Sequence, residues 1–540
     1  MACPRLLFDV TTTDHVNALI AWLPDLLYTA EGFERDLALV CDSTGCIVRL
    51  VRSNELKDEK RIRLRNRAML PGMVNAHSHA FQRVLRGRTE YRSEAVTFKE
   101  GLRPANSSRT DTFWTWREMM YSAATRLLPE DIYDASRMAF LEMALSGITA
   151  VGEFHYLHNE PDGKPYDDPN LLAKEVIRAA GDVGLRIALF RVAYARSGFK
   201  TDPNPRQARF IESSPQVFLK NLERLNADVF VGSPSVSEDS VRNQTFPGDH
   251  PTRPARDGTP VSRAADTAWI GIAPHSVRAI PLDYLRDLIK YADHHNFRVH
   301  MHIAEQPAEV SACVEEYGRT PIALLQTEGF LSERFTAVHA IHVTPKAIST
   351  FAKTGAMICA CPTTERNLGD GVVPADEYFK HGVEVCLGTD SHAQIDLFED
   401  ARELEYHLRL QRLERAILSV RSASVSEGTV RQETISGGRE SDPASVLFEC
   451  ATLSGARSIG APGGALDVGK PADFFTVALD DPTIAGASGD DLLATIVFSS
   501  SRAAVREVVV GGKPVVSEGQ HLIQEEVVER FENLQRRLWS

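Results

Sequence analysis

Residues 71–83 read Pro-Gly-Met-Val-Asn-Ala-His77-Ser-His79-Ala-Phe-Gln82-Arg83. On a β-strand, residues two apart point to the same side, so the imidazoles of His77 and His79 can converge on one ion at about 2.0–2.1 Å each. With 17 histidines in 540 residues, one His-x-His can equally serve packing. The weight therefore falls on whether the rest of the chain supplies the missing ligands.

Outward from this stretch, between about Met69 and Gly460, short apolar β runs alternate with amphipathic helices, the pattern of a parallel α/β fold. The runs are MLPGMVNAH, ITAVGEFHY, RIALFRVAY, WIGIAPH, RVHMHIAE, FTAVHAIH, AMICACP and EVCLGTD. Helices are predicted over Pro129–Leu145, Pro281–His295 and Pro307–Tyr317. Eight βα units suggest a TIM barrel, whose chemistry sits at the C-terminal ends of the strands, and the polar residues of the runs fall at those ends. Both chain ends are β-rich: residues 35–52 alternate around a Ser-Thr-Gly turn as a hairpin, and two runs flank Gly511-Gly512 after ADFFTVAL. The expected organisation is a small β-sandwich domain from 1–68 and 466–525, a barrel over 69–465, and a C-terminal helix over 526–540. Three polar segments, 86–112, 233–268 and 420–441, do not fit the repeat and read as solvated loops; the first two follow strands near the active face, where a lid would sit.

Hydrophobic content of 43% and charged content of 25% are those of a soluble globular protein. Sixty Lys plus Arg against 73 Asp plus Glu give a net charge of −13, which argues against a nucleic-acid or anionic-membrane binder. A small anionic substrate would need a local basic pocket. The eight cysteines contain no Cys-x-x-Cys and are expected as reduced thiols. The N-terminus has no secretory signal pattern, and the early apolar run Val16–Tyr28, broken by Pro24 and Asp25, is too short to span a bilayer. A cytoplasmic protein is expected.

The fifth run ends in His300-Met-His302-Ile-Ala-Glu305. A histidine ligand with a carboxylate three residues on can place that carboxylate beside the metal rather than on it. The eighth ends in Gly388-Thr389-Asp390-Ser391-His392, where Asp390 can complete a set with His77, His79 and His302 and accept a proton from water; its bland alternative is a helix cap. In the sixth, His339 is the better candidate for polarising a reacting group. His300 and His342 read as structural.

This combination resembles the amidohydrolase superfamily over essentially the whole chain, with PGMVNAHSH, APHS, HIAE, GTDSH and GALDVGKPADFF in order. The resemblance implies a metal-dependent hydrolase whose β-sandwich is built from both termini. Binuclear members carry a carboxylated lysine at the end of strand four; the region taken here as that end, LFRVAYARSG, has no lysine until Lys200, so one divalent ion is expected. Zinc suits three histidines and an aspartate with a position left for water; Fe2+ or Mn2+ suit the same ligand types. Members are often dimers, which makes a homodimer the expectation.

Within the superfamily the chain resembles the formimidoylglutamate deiminases, on HSHAFQR (77–83), FWTWREMMY (113–121), EFHYLH (153–158), APHSVRA (273–279) and HIAEQ (302–306). That resemblance implies hydrolysis of N-formimino-L-glutamate to N-formyl-L-glutamate and ammonia. The positions matching Gln82, Arg117, Tyr156, His275 and Arg278 then contact a substrate with two carboxylates, which bidentate guanidinium groups suit. Glu305, His339 and Asp390 become the proton-handling residues. Trp114 and Trp116 read as packing rather than stacking residues. Two rival readings are a guanine or other nucleobase deaminase, which would share every metal residue, and a catalytically silent scaffold.

Overall fold

In the computed structural model, which describes residues 19–90, 112–201, 204–232, 267–418 and 442–540, each of the eight apolar runs forms a strand. In chain order, β1 (Ile20–Thr29), β2 (Gly32–Glu34), β3 (Leu37–Cys41), β4 (Ile47–Arg52) and β5 (Lys60–Pro71) come first. The barrel strands are β6 (Met73–Ser78), β7 (Ile148–His155), β8 (Arg186–Ala193), β9 (Ala268–Pro274), β10 (Val299–Ile303), β11 (Phe335–His339), β12 (Met357–Ala360) and β13 (Val385–Leu387). Last come β14 (Phe474–Ala478), β15 (Val505–Val510), β16 (Lys513–Ser517) and β17 (Gln520–His521). The bulk of the polar segments predicted as loops, residues 91–111, 233–266 and 419–441, lies outside the described residues.

β6 to β13 form one parallel sheet in sequence order. Helices cover its outer face and side chains fill its centre, so β6, β7, β8 and β10 are buried along their whole length. This is why the runs read as continuous apolar stretches rather than alternating ones. The ends of the sheet meet at a single parallel bridge, Ser78 with Asp390. Asp390 N donates to His77 O at 3.0 Å and His79 N donates to Asp390 O at 3.0 Å. The seam that closes the barrel is thus made by residues of the candidate metal site and their neighbours. Gly388 is required there, since a Cβ at that position would stand 2.7 Å from His77 Cβ.

At the opposite mouth, Leu453–Ile459 forms a short helix. Ser458 reaches His300 on β10 and Thr336 on β11, and Ile459 O accepts from Trp269 Nε1 on β9. Contacts to three different strands place this helix across the N-terminal end, away from the chemistry.

The chain ends pair into one mixed sheet of nine strands. β14 inserts between β15 and β5, pairing antiparallel with β5 from Phe474 opposite Pro71 to Ala478 opposite Arg67. The run MLPGMVNAH is therefore two strands: Met69–Pro71 belongs to this sheet, and Gly72 separates it from β6. Trp22, Leu39, Ile47, Met69, Phe474 and Val509 form its own apolar cluster. A buried ion pair, Arg186 Nε to Asp473 Oδ2 at 2.7 Å, ties the start of β8 to the residue before β14, and Gly511 N donates to Asp473 Oδ1 at 2.6 Å.

The stretch LFRVAYARSG belongs to the third barrel strand, not the fourth. The fourth, β9, ends at Pro274 with His275 next, so the lysine is absent there too, for a different reason than the sequence suggested. The seven cysteines among the described residues are free thiols. Among the same residues no helix is long and apolar enough to cross a membrane.

Candidate active site

β6 delivers His77 and His79, β10 delivers His302, and the turn after β13 delivers Asp390. One donor atom from each lies within 4.8 Å of the others, and all four residues are buried. His302 Nε2 stands 3.1 Å from His77 Nε2 and 3.4 Å from His79 Nε2. Asp390 Oδ1 is 3.4 Å from His77 Nε2 and 3.2 Å from His79 Nε2.

Backbone carbonyls set the ring orientations. His79 Nδ1 donates to Phe154 O at 2.9 Å and His302 Nδ1 to His275 O at 3.2 Å. With the proton on Nδ1, each Nε2 presents a lone pair to the other, a repulsive arrangement unless a cation sits between them. A tetrahedral site with bonds of about 2.0–2.1 Å has an edge of about 3.4 Å, which matches the observed spacings. The residues therefore fit one divalent ion. Burial lowers His77, to about 4, and holds His302 well below the usual imidazole range, which keeps both neutral as ligands must be. Burial would raise Asp390, but the imidazoles of His77 and His79 against it and the charge of His339 hold it well below the carboxylate range. Cys361 also comes within reach of His339 and Asp390. Burial pushes that thiol well above its usual range, so it keeps its proton.

Around the four ligands the backbone is strained: Ala304, His339 and Asp390, at the ends of the fifth, sixth and eighth barrel strands, have φ of 52°, 70° and 44°. Non-glycine residues adopt this region at a cost, and it clusters at functional sites. It turns His339 and Glu305 toward Asp390: His339 Nε2 is 3.6 Å from Glu305 Oε1 and 3.8 Å from Asp390 Oδ2. His339 Nδ1 faces Glu365 Oε1 at 3.3 Å. Burial lowers His339, yet Glu305, Glu365 and Asp390 together push it up to about 10. Burial raises the Glu305 carboxyl.

Beside the ligands opens a cavity of about 520 Å³. Its walls include Gln82, Arg117, Tyr156, His275 and Arg278, so every residue predicted to touch substrate faces the space next to His79, His302 and Asp390. Gln82, in the turn Ala80–Leu85, donates from Nε2 to Tyr156 Oη at 2.7 Å and leaves its buried Oε1 without a partner. Arg117 lies on the helix Phe113–Ala124 and Arg278 in the loop after β9. Among the described residues, Arg117 Nε and Nη1 and Arg278 Nε are buried without hydrogen-bond partners. Trp114 packs against both arginines. Its ring lies 4.4 Å from the Arg117 guanidinium carbon and 5.7 Å from that of Arg278, within the range of a cation–π contact. Arg83, although in the same motif as Gln82, is committed to Glu142 and to His392 O.

His300 and His342 lie outside the metal set. His300 stacks on Phe190 at 3.9 Å, one layer deeper in the barrel, and His342 Nε2 meets Asp370 O at 2.8 Å. The sequence reading missed Glu365, in the first turn of the helix after β12, and Glu153 on β7. The latter accepts hydrogen bonds from Ser78 Oγ at 2.5 Å and from Ala80 N at 2.8 Å, fixing the chain on both sides of His79. An acidic residue at the C-terminal end of a barrel strand is the signal that marks Glu153, and it lay inside the quoted EFHYLH.

The amidohydrolase family model matches residues 68–515. The chain belongs to the amidohydrolase family. As an amidohydrolase it is 32% identical over 502 residues to the formimidoylglutamate deiminase of Pseudomonas aeruginosa, covering 93% of this chain and 95% of that protein. It is 26% identical over 503 residues to the 8-oxoguanine deaminase of the same organism, covering 92% and 93%. Among solved structures, an amidohydrolase from Brucella melitensis superposes with a TM-score of 0.76 at 28% identity, covering 97% of this chain and all (100%) of that one. An adenosine deaminase from Xanthomonas campestris with bound zinc superposes at 0.70 and 20% identity, covering 97% and 98%, a likeness of fold.

Proposed function

We infer that this amidohydrolase hydrolyses N-formimino-L-glutamate to N-formyl-L-glutamate and ammonia. The observation that carries the reading is the pair of guanidinium groups, Arg117 and Arg278, which line the cavity beside the His77, His79, His302 and Asp390 cluster and have buried N–H groups without a partner among the described residues. Two cations suit a substrate with two carboxylates, whereas a neutral nucleobase would leave them uncompensated. The Pseudomonas relative's name supports the same substrate.

A zinc-type ion held by His77, His79, His302 and Asp390 supplies Lewis acidity and brings the pKa of water toward about 7. Asp390, kept as a carboxylate, accepts the proton of the attacking water. His339, held protonated by the Glu365 and Asp390 carboxylates, donates toward the oxygen that joins the formimino carbon. Glu305, whose burial favours the protonated form, protonates the formimino nitrogen as water adds and takes back the proton of the new hydroxyl as the C–N bond breaks; Asp390 returns the water's proton to the same nitrogen, ammonia leaves and the formyl group remains on the glutamate. Arg117, Arg278, Gln82 and Tyr156 fix the carbon in place through contacts remote from it. Ammonia release measured side by side on N-formimino-L-glutamate, guanine, 8-oxoguanine, cytosine and adenosine tests the reading. The formimino compound should be the preferred substrate, and preference for a nucleobase would replace it with the nearer rival.

A further inference from the structure

Tyr121 and Tyr194 face the same cavity from two elements, the helix Phe113–Ala124 and the segment just past β8, and each is 2% exposed. Behind them, in the turn Pro205–Gln207, lies Gln207, which is 1% exposed. Its Nε2 donates to Tyr121 Oη at 2.6 Å and to Tyr194 Oη at 2.7 Å. Both N–H groups of one carboxamide thus end on two phenol oxygens. Neither hydroxyl proton is used on Gln207, and at most one can be shared between the hydroxyls. At least one O–H donor is therefore left for the cavity.

The surroundings say what that donor would meet. The Arg117 guanidinium carbon is 5.5 Å from the Tyr121 ring centre, and the charges of Arg278 and Arg117 both act on Tyr194. Gln207 leaves its own Oε1 buried without a partner. A buried orphan acceptor is unfavourable, and here it accompanies an amide whose two N–H groups both point at the phenols. Among the described residues the spare O–H, already opposite two cations, has no acceptor until an anion enters.

The geometry points to Tyr121 and Tyr194 as further substrate-binding residues: their hydroxyls, aimed by Gln207 as a positioning residue, donate to the substrate carboxylates held by Arg117 and Arg278. This rests on the reading of a dicarboxylate substrate and deepens it. The phenols add directional donors to the two charges, so the site selects a carboxylate by shape as well as by sign.

The test uses the metal-loaded full chain. Tyr121→Phe, Tyr194→Phe and the double variant keep the rings and remove only the hydroxyls. The double variant should raise KM for N-formimino-L-glutamate by about ten- to hundredfold, the scale of a hydrogen bond to a charged group, with kcat little changed. Gln207→Glu puts an acceptor where the donor stands and draws both hydroxyl protons away from the cavity, so it should raise KM with both tyrosines intact; Gln207→Leu should fall between. Calorimetric binding of glutarate, a dicarboxylate with no formimino group, should weaken by a similar factor in the double variant. A wild type that binds glutarate in this hydroxyl-dependent way yet releases no ammonia from N-formimino-L-glutamate would sink the proposed substrate and leave this inference standing. Unchanged KM and glutarate affinity in the double variant would overturn the inference, as would a wild type that neither binds glutarate nor turns over the formimino compound.

Discussion

Glu305 ends the fifth barrel strand's turn with 9% of its surface exposed and a carboxyl raised by burial. Its oxygen faces His339 Nε2 at 3.6 Å, and it stands outside the His77, His79, His302 and Asp390 cluster. It is therefore placed to move protons without holding the ion. Glu305→Gln should retain one bound ion by elemental analysis and lose turnover by roughly 10²–10⁴-fold, the usual scale for a general acid or base; near-normal turnover in a metal-loaded variant would remove Glu305 from the mechanism. Arg278 separates substrate binding from chemistry in the same way. Arg278→Met should raise KM for N-formimino-L-glutamate far more than for an uncharged amidine, and an equal effect on both would show that it holds no carboxylate. At this scale the sequence was informative about ligands, because each is a polar residue at the end of an apolar run. It said less about Tyr121, Tyr194 and Glu365. Their significance comes from which neighbours the barrel brings beside them, and nothing local distinguishes Tyr194 at the end of RIALFRVAY from a packing tyrosine.

The elements that carry these residues are held by interactions of their own. Gly388 precedes the aspartate turn of β13 where the barrel closes on β6, and Gly388→Ala would drive a methyl into His77 Cβ. That substitution should lower metal retention during gel filtration and activity together; an alanine variant with full metal content would show that the seam can relax. Behind β8, Arg191 Nη1 meets Glu212 Oε2 at 2.5 Å, and Asn221 Nδ2 donates to Glu212 Oε1 at 2.7 Å. Burial would raise Glu212, but the Arg191 charge and these bonds bring it down to about 2. A carboxylate with a depressed folded pKa stabilises fully above its unfolded value and loses that contribution as pH falls toward the folded one. The stability gap between the native chain and Glu212→Gln, read as urea midpoints, should accordingly be largest near neutrality and shrink from about pH 4.5 downward. A gap constant with pH would mean that Glu212 acts by packing alone. The barrel strands were legible because burial on both faces makes them continuously apolar and βα alternation spaces them evenly. β1 was not recognised as a strand because Pro24 and Asp25 look like breakers; the register with β5 shifts between Pro24 and Leu26, so the interruption is absorbed as a bulge. The lysine argument was attached to the third run, RIALFRVAY, although the order of the runs already made WIGIAPH the fourth.

For the whole molecule, the two ends of the chain meet in one sheet whose β14 pairs with β5 just before the barrel begins. The buried pair Arg186 and Asp473, exposed by 2% and 1% at their side chains, fastens that sheet to the barrel. Removing one partner of such a pair costs about 3–5 kcal/mol, since the other charge is left buried alone. Asp473→Ala should lower the thermal midpoint markedly while sparing turnover at low temperature; loss of turnover in a folded, metal-loaded variant would instead show that the sheet's docking reaches the site. The central claim, a single-ion hydrolase acting on a formimino dicarboxylate, is tested most directly by stripping the protein with a chelator, reloading it with zinc in steps and following ammonia release from N-formimino-L-glutamate. Activity should vanish on stripping and return in full at one ion per chain. Full turnover by the stripped protein, or none from the reloaded one, would contradict the account.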